Sequence, residues 1–82
     1  MYYVYVLKSL SKDKGYVGMT NNLERRLQEH DSGQNSYTKR YVPWKMIYHE
    51  EYVSLEEARK REKYLKGTTG RRYLKKVFSE SK

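Results

Sequence analysis

Three side chains sit where an amphipathic helix would carry something apolar. Leu55, Ala58, Glu62 and Leu65 follow at spacings of three, four and three, the core-facing stripe of an α-helix. Glu62 therefore points inward or to the edge of a groove, although an exposed glutamate would cost less. A carboxylate taken out of water without a partner is costly. Its partner should be a cation: a metal ion, or one of the many Lys and Arg. For an isolated glutamate a structural salt bridge is the commoner of the two. Upstream, Leu23, Leu27 and His30 form a second stripe, with Arg26 one turn before His30 at i, i+4. Both border an apolar seam. A lone histidine there is more often a packed, hydrogen-bonded core residue than a ligand. An arginine there usually lays its stem on the core and puts its head in water.

The elements that must position these residues follow from periodicity and punctuation. Tyr2 to Lys8 is β-branched and aromatic, hence a strand, with Tyr3, Tyr5 and Leu7 on one face. Ser9 to Lys14 is turn-like and Tyr16 to Met19 resumes strand character, giving a hairpin. Asn21 or Asn22 offers an N-cap for a helix over Leu23 to Asp31, closed by Gly33. Gln34 to Pro43 reads as a basic, polar loop. Trp44 to Val53 is a third strand with Pro43 at its entrance, where a missing N–H does least harm. Ser54-Leu-Glu-Glu57 matches a capping box for a helix running to about Lys66 and ended by Gly67. Thr68 or Thr69 caps a third helix through about Ser79. The order β-β-α-β-α-α predicts an α+β domain, a three-stranded, largely antiparallel sheet flanked by helices. Strand order does not follow from this pattern.

The chain has 82 residues and reads as one domain over 1–82. It can just bury a single core. With no cysteine, no disulfide framework or cysteine-rich zinc site is available, which fits a reducing compartment. No apolar run approaches the roughly 18 residues needed to cross a bilayer. The opening MYYVYVLKS has neither a basic leader nor a cleavage site and reads as strand. The expected location is cytoplasmic.

Charge says more. Eighteen Lys and Arg against ten Asp and Glu leave +8. Nine of the eighteen fall between Arg59 and Lys76, where Glu62 is the only acid. A surface so dense in one sign attracts polyanions. A solvated, charged helical face is the plain alternative, but the size of the imbalance favours nucleic acid. A membrane surface would need a large apolar helix face that no segment has. Lys14, Lys39, Arg40, Arg61, Lys66, Arg71 and Arg72 are the candidates for gripping a nucleic-acid backbone. Ten tyrosines and one tryptophan are read chiefly as half-buried strand residues, some of them able to stack on bases.

These residues resemble the GIY-YIG nuclease superfamily, in its small single-domain branch. Tyr3-Val4-Tyr5, ten residues of hairpin, then Tyr16-Val17-Gly18 resemble the two halves of the name motif. Arg26 and His30, within N-L-E-R-R-L-x-x-H, stand where the family carries its arginine and histidine. Glu62, in R-E-K-Y-L-K, matches the family's acidic residue on a later helix. T-K-R-Y-V-P-W-K-M-I-Y and G-R-R-Y-L-K-K resemble the small branch, so the likeness spans nearly the whole chain. Two features depart from the pattern: Tyr3 replaces the motif's glycine, and no asparagine follows Asn35.

The resemblance implies a phosphodiesterase site using one divalent ion, Mg²⁺ or Mn²⁺. Glu62 would hold the ion by an oxygen, leaving positions for water and phosphate. Arg26 would bind phosphate oxygens. Tyr16 would be the general base for the attacking water, with Tyr5 holding it in place. His30 would orient a phosphate or the base, and Lys14 would add positive potential. At an ordinary pKa near 10 only about one tyrosine in a thousand is phenolate at pH 7, so a tyrosine base gains from neighbouring cations. The expected function is a metal-dependent DNA endonuclease of loose or structure-selective specificity, cutting at branches or damage as in DNA repair. Base-specific targeting would need a protein partner, since no separate reader motif is present. The alternative is a catalytically lapsed nucleic-acid-binding module. A third reading is a small ribosome- or RNA-associated protein, because charge does not separate RNA from DNA.

Overall fold

The computed structural model describes residues 1–33 and 37–80. Gln34, Asn35 and Ser36, which open the expected loop, lie outside the described residues. The elements are β1 (Tyr2–Ser9), β2 (Gly15–Thr20), α1 (Leu23–Asp31), a 3₁₀ turn (Thr38–Tyr41), β3 (Trp44–Tyr52), α2 (Leu55–Lys66) and α3 (Thr68–Glu80). The β-β-α-β-α-α order is as expected.

The sheet is antiparallel throughout, in the order β2-β1-β3. β1 is central because both of its edges are paired: Tyr5 faces Gly18 on β2 and His49 on β3. A register irregularity against β3 falls between Val6 and Leu7. A strand with neighbours on both edges and helices on both faces must be apolar on both sides, and Val4 through Leu7 are all fully buried. On one face Val4 and Val6 join Val17, Ala58, Leu65 and Leu74 beneath α2 and α3. On the other, Tyr5 and Leu7 pack with Trp44, Leu23 and Leu27 beneath α1.

The caps follow local chemistry. The Asn22 side chain accepts from the Arg25 N–H at 3.0 Å, and Ser54 Oγ accepts from the N–H groups of Glu56 and Glu57, filling orphan donors of α1 and α2. Gly33 leaves α1 with φ 81°, a conformation that favours glycine. The third helix starts differently from expectation. Thr68 lies inside it and neither threonine is its cap, because Gly67 O already accepts from Arg71 N at 3.1 Å. The expected loop before β3 is partly regular, with Thr38–Tyr41 wound into the 3₁₀ turn. Trp44 fixes that segment: its backbone N–H donates to Asp31 Oδ1 at 2.6 Å and its indole N–H donates to Thr38 O at 2.8 Å. No helix among the described residues is long and apolar enough to cross a membrane.

The stripe on α2 is thinner than its spacing suggested. Ala58 and Leu65 are buried, but Leu55 is exposed at the helix start and Glu62 lies half-buried. α2 therefore depends on close approach by α3, which crosses it at the buried Gly70. A Cβ at Gly70 would lie 2.7 Å from the Leu65 carbonyl carbon, and closer still to Leu65 Cα and the Tyr64 carbonyl oxygen. Those are backbone atoms and cannot rotate away. Gly70→Ala is expected to lower unfolding free energy by about 2–3 kcal/mol, the upper range for overpacking a tight site. In a domain of this size that is a large share of the roughly 4–12 kcal/mol available. Urea denaturation of both proteins checks it; an unchanged midpoint would mean that the helices separate at no cost.

Candidate active site

The site is built around Tyr5, which β1 carries into the layer beneath α1. Its hydroxyl lies 2.9 Å from His30 Nε2 and accepts from Arg26 Nε at 3.2 Å. His30 Nδ1 lies 2.9 Å from Thr38 Oγ1. Both partners on α1 are one helical turn apart, so a single helix face delivers them to one phenol. Because arginine can only donate, Tyr5 accepts from Arg26. Its own buried proton then needs an acceptor, and Nε2 is the one within reach. That order places the His30 proton on Nδ1, donated to Thr38, and the relay runs Arg26 to Tyr5 to His30 to Thr38.

Electrostatics agree with this direction. Burial pushes the Tyr5 phenol up to about 12, although the Arg26 hydrogen bond pulls the other way. Tyr5 is therefore a neutral donor at any ordinary pH. Burial, and then the nearby Arg26 charge, hold His30 below its ordinary 6.5, so it is neutral and able to accept. The stability consequence has a definite sign. Between the depressed folded value and 6.5 the unfolded chain binds the extra proton, so stability falls as pH is lowered through that window. The contribution is fully present above pH 6.5. Urea midpoints from pH 7.5 to 5 should decline below about pH 6.5, and a flat series would mean that His30 protonates freely in the folded chain.

Tyr16 stands beside this relay and is not part of it. Its ring centroid is 4.7 Å from that of His30, 6.3 Å from Tyr5 and 6.1 Å from Tyr37. Among the described residues nothing hydrogen-bonds its hydroxyl. Gly18 makes room for the pair: a Cβ there would lie 2.5 Å from Tyr5 Cζ, closer still to the Tyr5 hydroxyl, and 3.0 Å from Tyr16 Cε1. Tyr16 also borders a groove of about 340 Å³ along the free edge of β2, floored by Val17, Leu65 and Leu74 and flanked by Tyr37, Lys66 and Arg71.

Glu62 stands on α2 one turn before Lys66, to which it pairs at 3.6 Å, with the two side chains 25% and 54% exposed. Its partner among the described residues is thus a lysine, as a lone glutamate would favour. A pair so open to water is worth little, and Lys66 can leave it at small cost. The Glu62 charge still reaches Tyr5, where it adds slightly to the raised phenol pKa.

Among the described residues no group of three or more His, Cys, Asp or Glu could cage a metal ion. The donor set instead suits an ion held by one carboxylate that keeps most of its waters, as Mg²⁺ does beside phosphates. His30 is unavailable to such an ion or to a phosphate, since it is fully buried with both ring nitrogens engaged.

The basic candidates divide. Lys66 and Arg71 line the groove beside Tyr16. Lys14 faces a separate recess with Lys8, Lys75 and Phe78. Lys39 and Arg40 are exposed on the 3₁₀ turn, and Arg72 is exposed on α3. Arg61 departs from expectation: its guanidinium is spent on Glu50, with Nε donating at 2.8 Å and Nη2 at 3.0 Å. The Nε and Nη2 edge of the guanidinium is therefore taken. Sequence reading missed Thr38 and Glu50. A threonine in a loop and a glutamate on a strand carry no local sign of a partner 8 or 11 residues away.

An antiparallel three-stranded sheet flanked by helices in the order β-β-α-β-α-α is a GIY-YIG fold. A family model of the GIY-YIG catalytic domain matches residues 1–76, and the chain belongs to that family. It is 41% identical to a UPF0213 protein of Clostridium perfringens, covering 99% of this chain and 87% of that one. It is 35% identical to a UPF0213 protein of Natronomonas pharaonis over 98% of this chain and 94% of that one. The solution structure of a UPF0213 protein from Bacillus halodurans superimposes with a TM-score of 0.55 at 28% identity, covering 93% of this chain and 83% of that one. Residues 1–76 thus carry the catalytic domain of a nuclease superfamily.

Proposed function

We propose that the protein is a metal-dependent endonuclease that hydrolyses phosphodiester bonds in DNA. The observation that carries this reading is the division of labour between two tyrosines. Tyr5 is buried, neutral and fixed by Arg26 and His30, whereas Tyr16, its ring centroid 6.3 Å away, has no hydrogen bond to its hydroxyl among the described residues and lines an apolar-floored groove flanked by Lys66 and Arg71. A phenol needed only for packing would not require a second phenol, a histidine and an arginine ordered behind it.

In this scheme the groove receives the phosphate backbone, with Lys66 and Arg71 neutralising charge along it. Arg26 uses Nε on Tyr5, and its terminal nitrogens, one of them 3.4 Å from Glu29, turn to the phosphate oxygens as charge grows there. Tyr16, once its own proton has gone to solvent, takes the proton of the attacking water, whose oxygen bonds to phosphorus as the bond to the leaving oxygen breaks. Tyr5 and His30 hold the Tyr16 ring by contact and keep Arg26 oriented, so His30 is a positioning residue. Glu62 would hold one Mg²⁺ or Mn²⁺, which when bound supplies Lewis-acid stabilisation to the phosphorus centre and the leaving oxygen.

Tyr16→Phe tests the base. It removes one oxygen that has no hydrogen bond among the described residues, so the fold should hold. Cleavage of supercoiled plasmid should fall by about 10²–10⁴-fold, the usual share of a positioned general base. Salt-sensitive binding with no nicking of plasmid, branched DNA or RNA would instead support a binding module on the same basic face.

A further inference from the structure

Behind the candidate site, on the other side of α2, lies a polar cluster that the proposed chemistry does not use. Glu50 on β3 accepts both donors of the Arg61 fork, at 2.8 and 3.0 Å, together with the hydroxyls of Tyr48 and of Tyr52, the latter at 2.7 Å. Tyr73 on α3 donates to the Tyr48 hydroxyl at 2.8 Å. The Arg61 guanidinium lies 4.9 Å from the Tyr64 ring centroid and 5.3 Å from that of Tyr73. The two ion-pair side chains are 27% and 16% exposed. β3 and α2 are joined at one carboxylate, and α3 reaches it through the Tyr48 hydroxyl.

We infer that the Glu50–Arg61 clamp sets the rotation of α2 and thereby the placement of the Glu62 carboxylate at the site. Arg61 and Glu62 are consecutive on α2, so their side chains leave the helix about 100° apart. One is directed to Glu50 on β3, and the other pairs with Lys66, which lines the groove beside Tyr16. Apolar packing would ordinarily fix such a helix, but α2 buries only Ala58 and Leu65, and Glu62 itself interrupts the stripe. Beside the contact with α3 at Gly70, a bidentate arginine fork resists rotation of this helix, because both of its bonds are lost together when the plane turns. The lever is short: at a side-chain radius of roughly 5–6 Å, a rotation of about 10° carries a carboxylate about 1 Å. A displacement of that size can cost about 10²-fold in rate. Glu50 is next to the site through the sheet as well, since it faces Val4, the neighbour of Tyr5 on β1.

This inference rests on the reading of Glu62 as the ion-holding carboxylate, and the test separates the two. Arg61→Lys keeps the charge but not the fork, and Glu50→Gln keeps the shape but not the charge. Val77→Ala, buried on α3, serves as a destabilised variant with the clamp intact. Mn²⁺ binding would be followed by electron paramagnetic resonance without DNA, DNA binding in chelator by fluorescence anisotropy, and melting by circular dichroism. Both clamp variants should bind Mn²⁺ five- to tenfold more weakly and cleave 10- to 100-fold more slowly. Both should bind DNA in chelator within about twofold of wild type. Val77→Ala should match their loss of melting temperature and keep wild-type Mn²⁺ affinity. The inference is overturned if all three variants change Mn²⁺ affinity alike, if the clamp variants leave it unchanged, or if the wild type binds no Mn²⁺. Wild-type Mn²⁺ binding that Arg61→Lys weakens, with no cleavage of any substrate, would sink the nuclease reading and sustain the clamp.

Discussion

Glu62→Gln should abolish metal-dependent nicking, by 10³-fold or more, while leaving the fold and DNA binding in chelator nearly untouched. The substitution is isosteric, and the contact it removes is an open i, i+4 pair with Lys66 at 3.6 Å. Such pairs contribute a few tenths of a kcal/mol, so melting should shift by no more than about a degree or two. The chemical loss is of another order. An ion on the reacting phosphate supplies several kcal/mol of charge stabilisation, and each 1.36 kcal/mol is about tenfold in rate. Arg26→Ala should fall with it, by about 10²–10³-fold, because the same side chain steadies Tyr5 at 3.2 Å and is available to the phosphate. Plasmid nicking beside circular dichroism and anisotropy measures all three quantities. If Glu62→Gln instead lost fold and binding together, Glu62 would be a structural residue and the nuclease reading would lose its ion.

The second large effect is expected at Gly18. Opposite Tyr5 in the β1–β2 ladder, Gly18 leaves the space that the Tyr5 hydroxyl fills, and an alanine Cβ would overlap that hydroxyl and its ring carbon. Tyr5 is fully buried, so the ring has nowhere to withdraw. It must tilt, and the 2.9 Å bond to His30 and the 3.2 Å bond to Arg26 lengthen or break. Overpacking of this kind costs about 1–3 kcal/mol, and displacing the relay by about an ångström costs 10²-fold or more in rate. Gly15→Ala is the informative contrast. Its Cβ would meet the far end of the half-buried Phe78 ring, a side chain able to shift, so both stability and nicking should stay near wild type. Equal damage from the two substitutions would mean that the sheet tolerates no side chain at either glycine, and Gly18 would have no special tie to the tyrosine.

Much of the fold was legible because its signals are local. Alternation and β-branching marked the strands, and Asn22 and Ser54 announced helix starts by side chains that do cap them. The α1 stripe placed Arg26 and His30 together, since i, i+4 geometry needs only the helix. The misreadings have a common source. Thr68 looked like a cap because threonine caps by type, yet Gly67 already supplied the first carbonyl of α3. Arg61 looked like one more free cation because Glu50, its partner, is on a strand 11 residues away.

Residue types and periods by themselves determined the element order, the net charge of +8, and which helix faces would carry Arg26, His30 and Glu62. Tertiary structure alone decided the strand order that puts Tyr5 at the centre, the pairing of its hydroxyl with both α1 residues, the space left by Gly18, and the diversion of Arg61 to Glu50. The reason is physical. Helical and strand periods are fixed by backbone geometry within a few residues, whereas a hydrogen bond across 21 or 25 positions exists only once packing brings its two ends to the same place.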